Sequence, residues 1–421
     1  MNAARRDGLR VAVIGGGYAG MAAAVTLAAR GVPVAVFESG SMAGGRARRV
    51  RTQGRDLDNG QHVLLGAYAV LLRLMRQVGV PSDAVLRLPL ELRYADGVAL
   101  RALWLPAPLG LLGGLLAARR IPFGERWGAV AFLRVLRRSG FRIEPDCTVD
   151  ALLARHRQDG RIGHYLWRPL CVSALNTPPQ LASARVFATV LRDSLAGAPE
   201  ASDLLLPRVD LSALFPERAA EYLRGRGGDL RTGHTVRQVT PDLTVDGEPF
   251  ARVVLAVGPH QLRPFAPLIG AVPAYDYQPI YTCYLQYAAA VKMPFPMLGL
   301  AAGLVQWAFD RGALLGEKGR LACVISAQGD HQQMAHDQIA AACHRELVLA
   351  LGALPEPAWS QVIAEKRATI ACTPGLKRIG PRTATAGLLL AGDYTDPEYP
   401  PTLEAAVRSG VRAAELAMEP T

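Results

Sequence analysis

The chain has 421 residues, half of them apolar, and a formal charge of +11 at neutral pH. This length and composition exclude wholesale disorder and allow two or more lobes around sizeable cores. The six cysteines are scattered without a C-x-x-C pair, which predicts a reducing, cytoplasmic environment and no metal site. The first residues contain no long apolar core or cleavage site, so a signal peptide is not expected.

A short apolar strand at 11–14 opens a strand-turn-helix unit that ends, on the next strand, at Glu38. In a dinucleotide-binding turn, Gly15 would allow the tight turn, Gly17 would let the backbone approach a pyrophosphate, and Gly20 would let the helix pack closely. Glu38 would accept hydrogen bonds from a ribose diol. A purely structural glycine turn is the alternative, but the complete pattern favours an adenine dinucleotide.

Two insertions interrupt this nucleotide-binding pattern. The first contains a short β segment near 92–100 and several helices, and the second is rich in β-branched and aromatic residues over 280–328, which predicts an antiparallel sheet. Between them, alternating segments at 235–239 and 243–245 precede a buried strand at 252–258. We therefore predict an α/β fold with a discontinuous nucleotide domain (1–80, 205–265 and 376–421) and a second domain (81–204 and 266–375).

The positive charge raises the question of an anionic partner. Apolar runs at 102–118 and 293–309 are broken by proline and glycine, so neither is expected to span a membrane. One predicted helix has arginines over about a third of its circumference and apolar residues over the rest. It fits either peripheral contact with anionic lipid or a buried helix with one solvated face; its arginines are Arg126, Arg134, Arg137 and Arg138. No nucleic-acid motif is present, so no nucleic-acid partner is expected.

Later motifs make the chain resemble one family along its whole length. They are the Gly44-Gly45-Arg46 turn, the Gly392-Asp393 turn and the final helix. With the opening turn, they resemble the flavin amine oxidase and phytoene desaturase superfamily. This implies FAD in a Rossmann-like domain of the amine oxidase type, with an inserted α+β substrate domain that contains the antiparallel sheet. The resemblance narrows to the bacterial hydroxysqualene dehydroxylases at segments 57–62, 307–312, 391–395 and 401–410.

The resemblance also implies which residues bind FAD. The Arg46 guanidinium suits a pyrophosphate, Gly60 would permit close approach of the isoalloxazine ring, and the helix amides near Thr402 would stabilise negative charge on reduced flavin. A surface role for Arg46, a sheet-core role for Val236 and a capping role for Asp393 remain alternatives. The predicted cofactor-binding residues are Gly15, Gly17, Tyr18, Ala19, Gly20, Glu38, Ser39, Gly44, Gly45, Arg46, Gly60, Gln61, His62, Val236, Gly392, Asp393, Thr402 and Leu403.

The residues that perform the chemistry are less constrained. Asp58 and His62 are the candidates for protonating a leaving group, although a single histidine is more often structural. Glu404 fits a helix terminus as well as a functional role, and Asp310 with Arg311 fits a hairpin turn. Three further histidines lack metal-binding spacing and are interpreted as a solvated helix face: His331, His336 and His344.

Three functions are compatible with the resemblance. The preferred one is reductive dehydroxylation of hydroxysqualene, a C30 isoprenoid, to squalene by hydride transfer from flavin N5, in squalene and hopanoid biosynthesis. It needs an electron donor that the sequence does not identify, and it fits peripheral attachment to the cytoplasmic membrane face. The alternatives are an isoprenoid or carotenoid desaturase and a non-catalytic lipid carrier similar to GDP-dissociation inhibitors.

Overall fold

The computed structural model describes residues 8–103, 109–195 and 198–420. Its strands are β1 (Val11–Ile14), β2 (Val34–Glu38), β3 (Arg49–Thr52), β4 (Arg55–Asp58), β5 (Leu64–Leu65), β6 (Val85–Leu88), β7 (Glu91–Arg93), β8 (Ala99–Arg101), β9 (Leu204–Pro207), β10 (Asp229–Thr232), β11 (Thr244–Val245), β12 (Glu248–Pro249), β13 (Arg252–Leu255), β14 (Tyr277–Gln286), β15 (Met297–Gly299), β16 (Trp307–Asp310), β17 (Arg320–Ser326), β18 (Trp359–Ile370) and β19 (Leu388–Leu390). Its α-helices are α1 (Tyr18–Ala29), α2 (Ala69–Gln77), α3 (Leu109–Leu116), α4 (Phe123–Arg138), α5 (Val149–Arg155), α6 (Arg168–Leu175), α7 (Ala184–Leu195), α8 (Leu211–Leu214), α9 (Pro216–Arg224), α10 (Ala266–Ile269), α11 (Arg311–Leu315), α12 (His336–Leu351) and α13 (Leu403–Ala417).

A five-stranded parallel sheet organises the first lobe, in the order β10-β2-β1-β13-β19. All four residues of β1 are buried, as expected for a parallel strand that is covered on both faces. Helices α1, α2, α9 and α13 contribute to the core on one face, and residues such as Leu243 and Phe250 contribute to the core on the other. Three separated parts of the chain thus form one sheet.

A second, antiparallel sheet lies in the inserted part of the chain, in the order β15-β16-β17-β14-β18. It contains the predicted segment 280–328 and extends it with the twelve-residue strand β18. Helix α12 buries Ile339, Cys343 and Leu347 in the core that it shares with this sheet. Helices α3 to α7 contribute to another core beside it. The mixed α/β fold with an antiparallel sheet is confirmed.

Two local predictions were wrong. The alternating segment 235–239, which includes Val236, forms no strand beyond a single bridge from Val239 to Val245. Here the Asp246 carboxylate accepts the N–H groups of Arg237 and Gln238, at 3.0 and 2.9 Å, in place of a neighbouring strand.

The three histidines do not form one solvated helix face. His331 lies before α12 and is buried, with its ring edge-on to Tyr281 at a centroid distance of 4.8 Å. His344 is hydrogen-bonded to the Tyr287 hydroxyl at 2.9 Å. Of the three histidines, only His336, the first residue of α12, is exposed.

The sequence predicts that neither of the apolar runs, 102–118 and 293–309, spans a membrane. Residues 104–108 of the first run lie outside the described part of the chain. Over the residues that the structure describes, no helix combines the length and apolar character needed to cross a bilayer.

Candidate functional site

The opening glycine turn joins β1 to α1, and two of its glycines are required by the fold itself. Gly15 has a φ of +108°, and a Cβ there would lie 2.5 Å from the Ala256 carbonyl oxygen. A Cβ at Gly20 would lie only 1.9 Å from the Gly15 carbonyl oxygen. These glycines therefore set the close packing of α1 against β1.

Two other glycines are not required by any protein contact. Gly17 has an ordinary φ of −70°, and a Cβ there would have no neighbour nearer than Gly45 Cα at 3.8 Å. A Cβ at Gly60 would meet the His62 ring only at 3.4 Å. No protein atom therefore explains the glycine at either position, and the absence of a side chain there suits close approach of a ligand to the backbone.

The second glycine turn packs directly on the first. The Gly44 N–H donates to the Gly16 carbonyl at 2.8 Å, and a parallel bridge pairs Gly17 with Gly44. Gly45 has a φ of +59°, and a Cβ there would lie 3.0 Å from Gly17 Cα. We call the two turns, 15–20 and 44–45, the glycine cradle.

Glu38 borders the glycine cradle at the end of β2. Its two carboxylate oxygens accept the N–H groups of Gly16 and Gly40, at 2.6 and 2.7 Å. The adjacent Ser39 is exposed. The acid is thus fixed at the carboxyl end of β2, beside the turn, as a ribose-binding acid would be.

The side chains of Tyr18 and Ala19 point into the core. The Tyr18 hydroxyl donates to the Leu211 carbonyl at 3.3 Å, its ring packs on Phe215, and burial raises the pKa of the phenol. Ala19 is also buried. These two residues therefore offer a ligand their backbone amides at the start of α1, and no side-chain contact.

Arg46 and Asp393 are brought together from distant parts of the sequence. Arg46 Nη2 lies 2.8 Å from Asp393 Oδ1, and Nη1 donates to the Ala368 carbonyl at 2.7 Å. Burial lowers the pKa of Arg46, but the charge of Asp393 and the hydrogen bond to it outweigh that effect and raise it. Asp393 is buried whereas Arg46 keeps about a third of its side chain exposed, so the acid orients a permanent positive charge that remains accessible.

The Gly392 turn leads into the last helix. The Gly392 N–H donates to Ser409 Oγ at 2.9 Å, and a Cβ at Gly392 would lie 2.2 Å from the Tyr394 ring. Thr402 caps the helix that follows, since its side chain accepts the Ala405 N–H at 3.2 Å. The start of α13, with Leu403 as its first residue, is therefore a fixed source of N–H groups.

Glu404, in the first turn of α13, caps a different helix. Its carboxylate is buried and accepts the N–H groups of Val70 and Leu71, in the first turn of α2, at 3.1 and 2.9 Å. Burial raises the pKa of Glu404, and the two hydrogen bonds oppose that shift. Glu404 therefore joins α13 to α2.

Asp58, one of the two candidate acids, lies in a buried ion pair. One oxygen accepts the Leu211 N–H at 2.8 Å, and the other lies 3.1 Å from Arg311 Nη1. Burial raises the pKa of Asp58, and the charge of Arg311 opposes the shift. Both carboxylate oxygens are engaged by protein groups.

Arg311 was overlooked as a site residue in the sequence. It is buried and donates to Asp58, to Gln61 Oε1 at 3.2 Å and to Glu317 Oε2 at 2.6 Å. Its neighbour Asp310 caps α11 by accepting the Ala313 N–H at 2.9 Å. The predicted hairpin connection therefore contains a short helix that directs Arg311 inward, and the arginine fixes the segment around Gln61.

His62, the other candidate acid, retains some exposed surface next to Gly60. Its Nδ1 lies 3.3 Å from the Gly60 carbonyl oxygen, and burial lowers its pKa. The neutral imidazole is consequently the favoured form at neutral pH. Its Nδ1–H is positioned to donate to Gly60, which leaves Nε2 as the atom to exchange a proton.

Comparison with known proteins matches this arrangement to a family. The model of the flavin containing amine oxidoreductases matches residues 18–418. The chain belongs to this family. Its cofactor is therefore a flavin and its activity that of a flavin-dependent oxidoreductase, as predicted.

Individual relatives cover nearly the whole chain. Hydroxysqualene dehydroxylases of Rhodopseudomonas palustris and Sinorhizobium fredii are 33% and 30% identical to it, over 97% and 98% of this chain and 98% and 99% of their own lengths. A probable zeta-carotene desaturase of Synechococcus elongatus is 24% identical over 98% of this chain and 99% of its own.

A redesigned putrescine oxidase shares the fold, with a TM-score of 0.70, 18% identity and coverage of 97% of this chain and 98% of that one.

Two more polar residues shape the flavin enzyme's site and were missed in the sequence. Asn59 is buried and donates to the Arg46 carbonyl at 2.5 Å, which ties the glycine cradle to the segment around Gly60. Arg378 donates to the carbonyls of Asp396 and Tyr399, at 2.6 and 2.7 Å, and so holds the loop before α13. Nothing in their local sequence indicates these partners, because all of them come from tertiary structure.

Proposed function

We propose that this chain is an FAD-dependent hydroxysqualene dehydroxylase, which replaces the hydroxyl group of hydroxysqualene by hydrogen to give squalene. The observation that supports this most strongly is the similarity to two such enzymes over nearly the whole length of all three chains. That similarity includes both insertions, which contain the antiparallel sheet and the helices of the proposed substrate domain.

The residues present fit FAD. The open backbone of the glycine cradle would receive the pyrophosphate, with Arg46 supplying charge and Glu38 binding the adenosine ribose. Gly60 and Gln61 would lie along the ring system, and the N-terminal amides of α13 would face negative charge on it. Val236, in its irregular segment, would contact the adenine through its backbone.

When bound, reduced flavin supplies a hydride to the allylic carbon from which the hydroxyl group departs. The overall change is R–OH plus a hydride and a proton to R–H plus water, so the protein must deliver one proton to the leaving oxygen. His62 Nε2, which is unprotonated in the neutral imidazole, is our choice for the atom that takes this proton from solvent and passes it to the leaving oxygen. Asp58 and Arg311 keep the segment with Gln61 and His62 in place, so we propose a positioning role for Asp58.

The reverse chemistry, isoprenoid desaturation, is the second candidate. It is supported by the similarity to the Synechococcus zeta-carotene desaturase, which also spans both chains. The lower identity makes it the weaker proposal. The carrier function is disfavoured because the residues that we propose to bind the cofactor phosphates, which are the opening glycine turn, Arg46 and the Gly392-Asp393 turn, are intact in this chain.

Anaerobic turnover tests the main proposal. We expect photoreduced protein to be reoxidised by hydroxysqualene, with squalene formed in proportion to flavin. The His62→Gln variant, which keeps hydrogen-bonding capacity but cannot protonate a leaving group, is expected to react about 100-fold more slowly or worse. The proposal fails if reduced enzyme is stable towards hydroxysqualene while oxidised enzyme desaturates squalene or a carotene precursor.

A further inference from the structure

Helix α4 exposes large apolar side chains next to arginines on one surface. Its apolar residues Val130, Phe132, Leu133 and Leu136 are buried in the core that α4 shares with α3, α5, α6 and α7. The helix nevertheless leaves three large apolar side chains exposed. Phe123, Trp127 and Val135 expose 63%, 47% and 44% of their surface.

Basic residues share this exposed side. Positions 123, 127, 134 and 138 are four, seven and four residues apart, so they form one stripe along the helix. Arg134, Arg137 and Arg138 are exposed, and none of them forms an ion pair with a carboxylate in the described part of the chain. We call this stripe and its exposed neighbours Val135 and Arg137 the α4 face; its residues are Phe123, Trp127, Arg134, Val135, Arg137 and Arg138.

The only acid of α4 does not weaken this positive charge. Glu125 turns away from the α4 face and accepts the Ile162 N–H at 2.8 Å. Arg126 also differs from the sequence-based expectation, since it donates to the Leu116 carbonyl at 2.6 Å at the end of α3.

We propose that the α4 face binds the surface of an anionic lipid bilayer, with Phe123 and Trp127 inserted among the headgroups and Arg134, Arg137 and Arg138 on the phosphates. The charge of the face selects an anionic partner, and its exposed aromatic rings select one with an apolar interior. A nucleic-acid duplex would satisfy the arginines but leave the apolar side chains in water, and a single strand, whose bases could stack on the rings, is the competing outcome of the test below. This binding does not require catalysis, so it stands or falls independently of the proposed function.

Sedimentation with lipid vesicles tests the proposal on the flavin-loaded protein. We expect it to bind vesicles of phosphatidylcholine and phosphatidylglycerol in equal parts, and to bind pure phosphatidylcholine much more weakly. The triple variant Arg134→Glu, Arg137→Glu, Arg138→Glu should lose about 100-fold in affinity, at about a factor of five for each arginine. A control triple variant with the same charge change, Arg76→Glu, Arg224→Glu, Arg226→Glu, alters exposed arginines elsewhere and should bind like the wild type.

Fluorescence separates insertion from simple charge attraction. Vesicles that contain brominated lipid should quench Trp127, and the Trp127→Phe variant should lose that part of the quenching while it still sediments. The proposal is overturned if the α4 triple variant binds as well as the control variant, or if no quenching depends on Trp127. It is equally overturned if RNA of mixed sequence binds more tightly than the anionic vesicles. Circular dichroism of each variant shows whether it is folded.

Discussion

The two ends of the candidate flavin site are built in different ways. The glycine cradle consists of backbone, and its shape follows from glycines that are neighbours in sequence or in the adjoining turn. The segment from Asp58 to His62 is instead held by the side chain of Arg311, which is 253 residues away from Asp58. The first end is built from two turns near the start of the chain, and the second depends on the inserted lobe folding against it.

The largest expected loss of stability comes from removing Arg311, the side chain that holds the segment from Asp58 to His62. Replacing Arg311 with Met leaves the Asp58 carboxylate buried without its charged partner, which should lower the free energy of unfolding by about 3–5 kcal/mol. Urea denaturation measures the change. Asp58→Asn should cost less, because Arg311 keeps Glu317 as a charged partner.

The double variant Asp58→Asn, Arg311→Met completes this test. It should be more stable than Arg311→Met alone, because no buried charge at position 58 remains unpaired. Equal stability of Arg311→Met and the double variant would contradict an energetic coupling between Asp58 and Arg311.

The glycine cradle offers a matched pair of alanine variants. Gly20→Ala places a methyl group against the Gly15 carbonyl and should cost about 2–3 kcal/mol of stability. Gly17→Ala has room in the protein and should cost under about 1 kcal/mol, the scale of a helix-capping change. Flavin absorbance after dialysis should nevertheless fall in both. Full flavin retention by Gly17→Ala would show that no ligand approaches this residue.

The hydrogen bonds of Glu404 to α2 belong to neither end of the candidate flavin site. Glu404→Gln keeps the shape but removes the charge from the hydrogen bonds to Val70 and Leu71, which should lower the free energy of unfolding by about 1 kcal/mol. The matched control is Glu415→Gln, an exposed carboxylate on the same helix, whose loss should be close to zero. Thermal denaturation compares the two; an equal effect would mean that the capping of α2 contributes nothing.

The smallest effect is a pH dependence. Burial lowers the pKa of His331 below its usual 6.5, so the unfolded chain binds a proton before the folded protein does. The stability associated with a neutral His331 is therefore complete above pH 6.5 and decreases as the pH falls through and below that value.

His331→Phe keeps the ring contact with Tyr281 and should reduce that decrease, by at most about 1.4 kcal/mol per pH unit. Urea midpoints measured at several pH values below 7 provide the comparison. An unchanged slope in the variant would assign the acid sensitivity to other groups.

The contrast between contacts set by short sequence patterns and contacts between distant residues explains how much of the structure the sequence predicts. The parallel sheet, the glycine cradle and α13 depend on short patterns of glycine and apolar residues, and those patterns were sufficient. The partner of Arg311 and the partners of Glu404 could not be predicted, since nothing local indicates which distant carboxylate or amide a charged side chain meets. The missing strand at 235–239 has another cause, because Asp246 competes for its amides from a neighbouring turn. The roles of individual flavin-site residues stay predictions.

The order of strands in the parallel sheet also affects how the protein is made. Strands β1 and β2 leave the ribosome early, but their neighbours β13 and β19 lie at 252–255 and 388–390. For most of synthesis the nascent sheet therefore has an open edge with free backbone groups, beside apolar surface that later strands cover. Such long-range pairing folds slowly. We expect that a nascent chain stalled before residue 388 needs a chaperone to remain unaggregated, although most of its residues have already been synthesised.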